Sequence, residues 1–342
     1  MIKKGHFAAL AILFAFPLLC RAEDKDRDYW PTKEWQYSTA ESQGLDSSVL
    51  ENMGEYIGNT MTSTDSVLLI RHGYLIFEKY YNKSSDDLRP LASVTKSVIS
   101  AILGIAIDKG LVNNLNQKMM EFFPDYNDEF INSSVRQITL RHLMTMSANF
   151  SIYPDPDFIG AVFEKPLARE LGKYFIYDES DPNIVSMILT NVSSLTAADF
   201  AAEYLFKPIG VESFSWQESS GYSQGGTGLS LKPRDMARLG YLYLNKGRWN
   251  GQQVISREWI EESTKNQISE LKSLDDSIDS YGYYWWTGDI ARHDFFCAFG
   301  WGGQVIAVLP DLDIVFVTTA NGYSATAFNS LLEKYVIPAV IK

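Results

Sequence analysis

The sequence predicts an α+β fold: an antiparallel sheet assembled from N- and C-terminal segments, flanked by helices, with a helical lobe inserted between them. Three observations carry this. Strand-like apolar runs occur at residues 66–81 and again from residue 281 onward. The span between them is dominated by helical periodicity. Strand runs at both ends of one chain most simply share a single sheet, with the helical middle as an insertion.

The elements follow in order. Lys3 and Lys4 precede a nearly unbroken apolar run at 7–19, which is shorter than the roughly 20 residues of a membrane span. This is the pattern of a cleavable secretion signal over 1–22, cut after Ala22, with Cys20 and Ala22 as the small residues before the cut. A periplasmic or secreted protein is therefore expected, with no integral span in the mature chain. A lipid anchor at Cys20 is the alternative. Val67-Leu68-Leu69-Ile70 and Tyr74-Leu75-Ile76-Phe77 read as a hairpin turning at Arg71-His72-Gly73. Val98, Ile99, Ile102, Leu103, Ile105 and Ala106 mark a helix over 94–109, closed by Gly110. Further helices are expected at 140–146, 182–190, 196–206, 233–244 and 256–263. The stretches 149–160 and 218–228 read as loops. Strands are expected at 281–286, 304–309 and 314–319, with 310–313 as a turn, before a final helix at 325–336. The expected division is a sheet domain from 23–92 and 280–342, and a helical lobe over 93–279.

Composition excludes several functions. Thirty Lys and Arg against 42 Asp and Glu leave a net charge of −12, which opposes nucleic-acid binding. Cys20 and Cys297 are the two cysteines, so no internal disulfide is expected once the signal is removed. Beyond the signal, His72, His142 and His293 stand without metal-ligand spacing, and no Gly-rich phosphate loop follows a strand. Neither a metal nor an organic cofactor is expected.

Three residues are candidate nucleophiles. Gly221-Tyr222-Ser223-Gln224-Gly225 has the spacing of a nucleophile elbow, but the polar stretch before it cannot be a buried strand, so a surface loop is expected. Cys297 follows His293 by four residues, yet Phe296, Ala298 and Phe299 around it suggest inert packing. Ser93 and Lys96 open the apolar helix at i and i+3, on one face. A desolvated lysine beside a serine can act as its base, and a helix N-terminus favours negative charge. Alone, this pair also fits a helix cap beside an exposed lysine.

The segment Leu91-Ala92-Ser93-Val94-Thr95-Lys96-Ser97-Val98 closely resembles the nucleophile segment of the serine β-lactamase and penicillin-binding-protein superfamily, nearest its class-C-like and esterase branch. The resemblance continues, in order, through 138–147, Phe175-Ile176-Tyr177, 206–210, 233–240 and Gly300-Trp301-Gly302-Gly303-Gln304. It implies a β-lactamase/transpeptidase-like fold and an acyl-enzyme on Ser93, with Lys96 and Tyr177 moving the proton. In the family's Tyr-x-Asn element the third position is Asn; here it is Glu179, which cannot donate an amide hydrogen bond and would repel an anionic substrate. The family's Lys-Thr-Gly is absent. Trp286-Thr287-Gly288 reads as the approach to a hairpin tip at 287–289. Trp301-Gly302-Gly303 resembles the variants of family esterases and nylon-oligomer hydrolases, and implies substrate contacts from Glu179, Trp301, Gly302 and Gly303. The backbone N–H groups of Ser93 and Gln304 are then expected to form the oxyanion hole. The implied substrate is a small ester, amide or β-lactam-like molecule, with ester or amide favoured. The alternatives are β-lactamase or peptidoglycan DD-peptidase activity at the same site, and an inactive binding or sensor module.

Overall fold

The computed structural model describes residues 27–126, 128–151, 159–269, 271, 278–322 and 325–341. The expected signal segment, including Cys20 and Ala22, lies outside the described residues, as does most of the loop expected at 149–160.

An eight-stranded antiparallel sheet forms the centre. Its strands are β1 (Thr64–Arg71), β2 (Tyr74–Tyr80), β3 (Ile268–Ser269), β4 (Ile278–Tyr281), β5 (Trp286–Ile290), β6 (His293–Gly300), β7 (Gln304–Leu309) and β8 (Ile314–Ala320). They are ordered β3-β4-β5-β6-β7-β8-β1-β2, so the N-terminal hairpin closes the sheet built by the C-terminal segment, as expected for this α+β fold. Every residue of β7 and β8 is buried, which is why these strands read as unbroken apolar runs.

Helices cover both faces. On one lies α1 (Ser47–Thr60), which the periodicity reading missed. Its buried residues Leu50, Met53, Gly54 and Ile57 follow helical spacing, and Asp46 caps it by accepting the Ser48 N–H at 2.9 Å. On the other lie α2 (Val94–Asp108) and α4 (Pro233–Leu244), with α3 (Ser180–Ser193) packed against α2. Residues Val94 to Ala106 of α2 are all buried, so α2 is a core helix rather than a surface one. The chain ends in α5 (Ala325–Leu331), continued by one wider turn at Leu332–Val336 that packs on α1.

Two expectations shift. The sheet reaches back to Ile268, and α4 packs on β7, β8 and β1, so these two parts of the 93–279 segment pack with the sheet. The run at 281–286 is not one strand. The Gly282 N–H bonds the Trp285 carbonyl at 2.8 Å and Tyr284 takes φ 62°, which turns the chain between β4 and β5. Thr287, Gly288 and Asp289 consequently sit inside β5, and the hairpin tip falls at Ala291-Arg292, both at positive φ.

Candidate active site

The turn at 91–93 delivers Ser93 to the N-terminus of α2. The Leu91 N–H is fixed to the Leu229 carbonyl at 2.8 Å, and Ala92 takes φ 46°, a conformation an alanine adopts only under constraint. Ser93 occupies the N-cap position of α2 without a side-chain cap bond, and Lys96 sits one turn along. Lys96 Nζ lies 3.0 Å from Ser93 Oγ and donates to the Gly226 carbonyl at 2.8 Å. Only 1% of Lys96 is exposed. Burial pulls its pKa down to about 8, against the opposing pull of the Glu179 and Asp178 carboxylates.

The segment leading into α3 supplies the opposite wall. The Tyr177 hydroxyl meets the Ser93 hydroxyl, and its ring lies 5.0 Å from Lys96 Nζ. The residue is 38% exposed, and desolvation of its hydroxyl raises its pKa. Trp286, at 5.4 Å, and Tyr281, at 6.3 Å, hold the ring from behind. Glu179 occupies the N-cap position of α3 without a side-chain cap bond, and its Cβ and Cγ press against Gly226. Asp178, which the sequence reading did not single out, accepts the Ser180 N–H at 2.9 Å, and burial raises its pKa.

The third wall is the end of β6. Pairing with β5 stops at Trp286↔Cys297, so the β6 edge beyond Cys297 is left open, and the turn at 91–93 packs against its end. A Cβ at Gly300 would stand 2.2 Å from the Leu91 carbonyl and 3.2 Å from Ser93 N, so a side chain there would displace the turn that carries Ser93. The carbonyls of 300–303 are all engaged. Gly300 O accepts from Gly303 N–H at 3.2 Å, and Trp301 O from Gln304 Nε2 at 3.4 Å. Gly302 O accepts from Gly322 N–H at 3.0 Å, and Gly303 O from Thr318 Oγ1 at 2.9 Å. A trans peptide points its N–H opposite to its C=O. The Trp301 N–H therefore faces away from the 301–303 turn, toward the open edge beside Ser93.

The same rule corrects the expectation for Gln304. Its peptide carbonyl, that of Gly303, is turned to β8, so its N–H is directed toward β6, which stands between it and Ser93. Its side chain instead bonds the Ala320 carbonyl. Gly302 and Gly303 form the turn, and a Cβ at Gly302 would face Ala320 and Gly322; the glycine against Ser93 is Gly300. The Trp301 indole is 76% exposed at the tip of this turn.

The family described as Beta-lactamase matches residues 51–337. The chain belongs to the beta-lactamase family. It is similar to the 6-aminohexanoate-dimer hydrolase of Paenarthrobacter ureafaciens, at 24% identity over 76% of this chain and 73% of that one. It is also similar in structure to a class C beta lactamase from Rhodobacter sphaeroides, with TM-score 0.68 and 14% identity over 86% of this chain and 99% of that one. EstCE1, a hydrolase with promiscuous acyltransferase activity, superposes with TM-score 0.71 and 13% identity over 88% of this chain and 100% of that one. These two likenesses show a shared fold.

Within this beta-lactamase-family fold the other candidate nucleophiles have structural roles. Ser223 is 2% exposed and its Oγ accepts the Ala198 N–H at 3.0 Å, tying a short strand to the helix at Ala197–Ala201. The stretch expected as a loop contains a small hairpin, Glu218–Ser219 with Tyr222–Ser223. Cys297 is fully buried in β6, and burial raises its thiol pKa. His293 is held by Asp311 at the far end of that strand, 2.5 Å away.

Proposed function

We propose that this protein is an exported serine hydrolase that cleaves a carboxylic ester or amide through an acyl-enzyme on Ser93. The observation that carries the reading is the 3.0 Å approach of a buried lysine, with its pKa lowered to about 8, to a serine at a helix N-terminus. In this reading the neutral Lys96 amine takes the Ser93 proton as Oγ attacks the substrate carbonyl carbon. The Ser93 and Trp301 N–H groups receive the developing oxyanion. The raised pKa of Tyr177 favours a neutral phenol, which passes its proton to the leaving oxygen or nitrogen and is reprotonated from Lys96. Water then cleaves the acyl-enzyme by the same relay in reverse. Export rests on Lys3, Lys4 and the apolar run up to Leu19.

Electrostatics supports neutral or cationic substrates over β-lactams. Asp178 and Glu179 bring two carboxylates toward Lys96, and the end of β6 carries Ala298, Phe299 and Gly300, with no cation to meet a substrate carboxylate. The deciding experiment is labelling by a fluorophosphonate with intact-mass detection, on the parent and on Ser93→Ala. The expected result is one adduct on the parent and none on the variant. Labelling of Ser93→Ala, or no labelling of the parent, overturns the reading; the latter outcome favours a binding module.

A further inference from the structure

The acceptor that holds Lys96 is itself held. The loop at 225–226 is pressed on the start of α3: a Cβ at Gly225 would stand 2.0 Å from the Pro182 carbonyl, and one at Gly226 would stand 2.8 Å from Glu179 Cβ. Asn183, in the first turn of α3, faces this loop. Its Oδ1 accepts the Gly225 N–H at 2.8 Å and the Gly226 N–H at 3.0 Å. The carbonyl of the same Gly226 accepts from Lys96 Nζ at 2.8 Å. One residue, Gly226, thus separates the Asn183 amide from the lysine amine.

We propose that Asn183 is a positioning residue that sets the place and protonation of Lys96 by clamping the Gly226 carbonyl through two N–H bonds. This rests on Lys96 acting as the base in the reading above. An amide oxygen accepts both N–H groups without adding charge. Neutrality matters here because Lys96 already faces two carboxylates, Asp178 and Glu179, from the segment before α3. From that segment it also faces the Tyr177 ring, from its own helix the Ser93 hydroxyl, and from the loop the Gly226 carbonyl. The end of β6 adds no charged side chain.

The test is the pH dependence of kcat and KM for a p-nitrophenyl ester on the parent, Asn183→Ala, Asn183→Asp and Lys96→Ala. Asn183→Ala releases the loop. Its kcat is expected to fall about ten- to a hundredfold with KM nearly unchanged. Its acid limb is expected to move to lower pH, because the ammonium form loses an ordered acceptor. Asn183→Asp keeps both N–H bonds but adds charge one residue from Lys96. Its acid limb is expected to move to higher pH by roughly 1–3 units, with kcat largely recovered on the alkaline plateau. Acid limbs that coincide with the parent's in both variants overturn the proposal, as does an equal loss of kcat in both across the whole pH range. Parent-like kcat in Lys96→Ala overturns the underlying reading instead, whatever the Asn183 variants do.

Discussion

Lys96 approaches Ser93 to 3.0 Å from inside the core, with 1% of its surface exposed and its amine pulled down to about 8 by burial. A base with this pKa is mostly protonated at neutral pH. The kcat/KM for a neutral ester is therefore expected to rise through an acid limb near pH 8. A limb centred near 6 or below would mean that another group takes the proton.

The same burial costs stability. The folded pKa of Lys96 lies near 8 and its ordinary value is 10.5, so between these values the unfolded chain binds more protons. Stability is expected to rise with pH across that window, and the cost is fully present below pH 8. The shift corresponds to about 3 kcal/mol at most. Lys96→Met is expected to raise Tm at pH 7 while reducing kcat for ester hydrolysis by about 10²–10⁴-fold. A Tm that falls at pH 7 and is equally low at pH 10 would argue against this balance.

Lys96→Ala and Tyr177→Phe are each expected to reduce kcat by about 10²–10⁴-fold. The double variant should lose little more than either single one, because both residues serve one proton path. Additive losses, measured as kcat on one ester, would assign them to separate steps. Ser223→Ala is expected to leave kcat unchanged and to lower Tm by the loss of one buried hydrogen bond.

Gly300→Ala places a Cβ against the Leu91 carbonyl and displaces the turn that carries Ser93. A kcat loss of about a hundredfold is expected, since both oxyanion donors flank that contact. Trp301→Ala keeps the backbone donor and removes only an exposed indole. It is expected to leave kcat for an acetyl ester unchanged. A hundredfold kcat loss in Trp301→Ala would show that the indole, rather than the N–H, does the work.

Glu179→Gln removes one carboxylate near Lys96. It is expected to raise kcat/KM for an anionic cephalosporin by about tenfold relative to a neutral short-chain ester, through reduced like-charge repulsion. It should also move the acid limb to lower pH, because the carboxylate favours the ammonium form. A parent that already prefers the cephalosporin a hundredfold would overturn the ester and amide assignment.

Much of this was legible in the chain itself. Ser93 and Lys96 are neighbours because i and i+3 share a helix face, a relation local periodicity determines. The strands at 304–309 and 314–319 were legible because burial on both faces makes them continuously apolar. The aromatic-rich run at 281–286 misled for the same reason: its residues are buried as strand residues are, yet Gly282 bends the chain against the Ser263 carbonyl, a contact made by distant sequence.

Residue type and i, i+3 spacing place Ser93 and Lys96 on one helix face, and the strand-like runs at both ends of the chain carry the antiparallel plan. Long-range packing sets which backbone N–H faces Ser93, which carbonyl holds Lys96, and which residue holds that carbonyl. Those are directions of peptide groups. They are set by hydrogen bonds between segments far apart in sequence, such as Lys96 to Gly226, Thr318 to Gly303 and Asn183 to Gly225, and no local pattern of side chains encodes them.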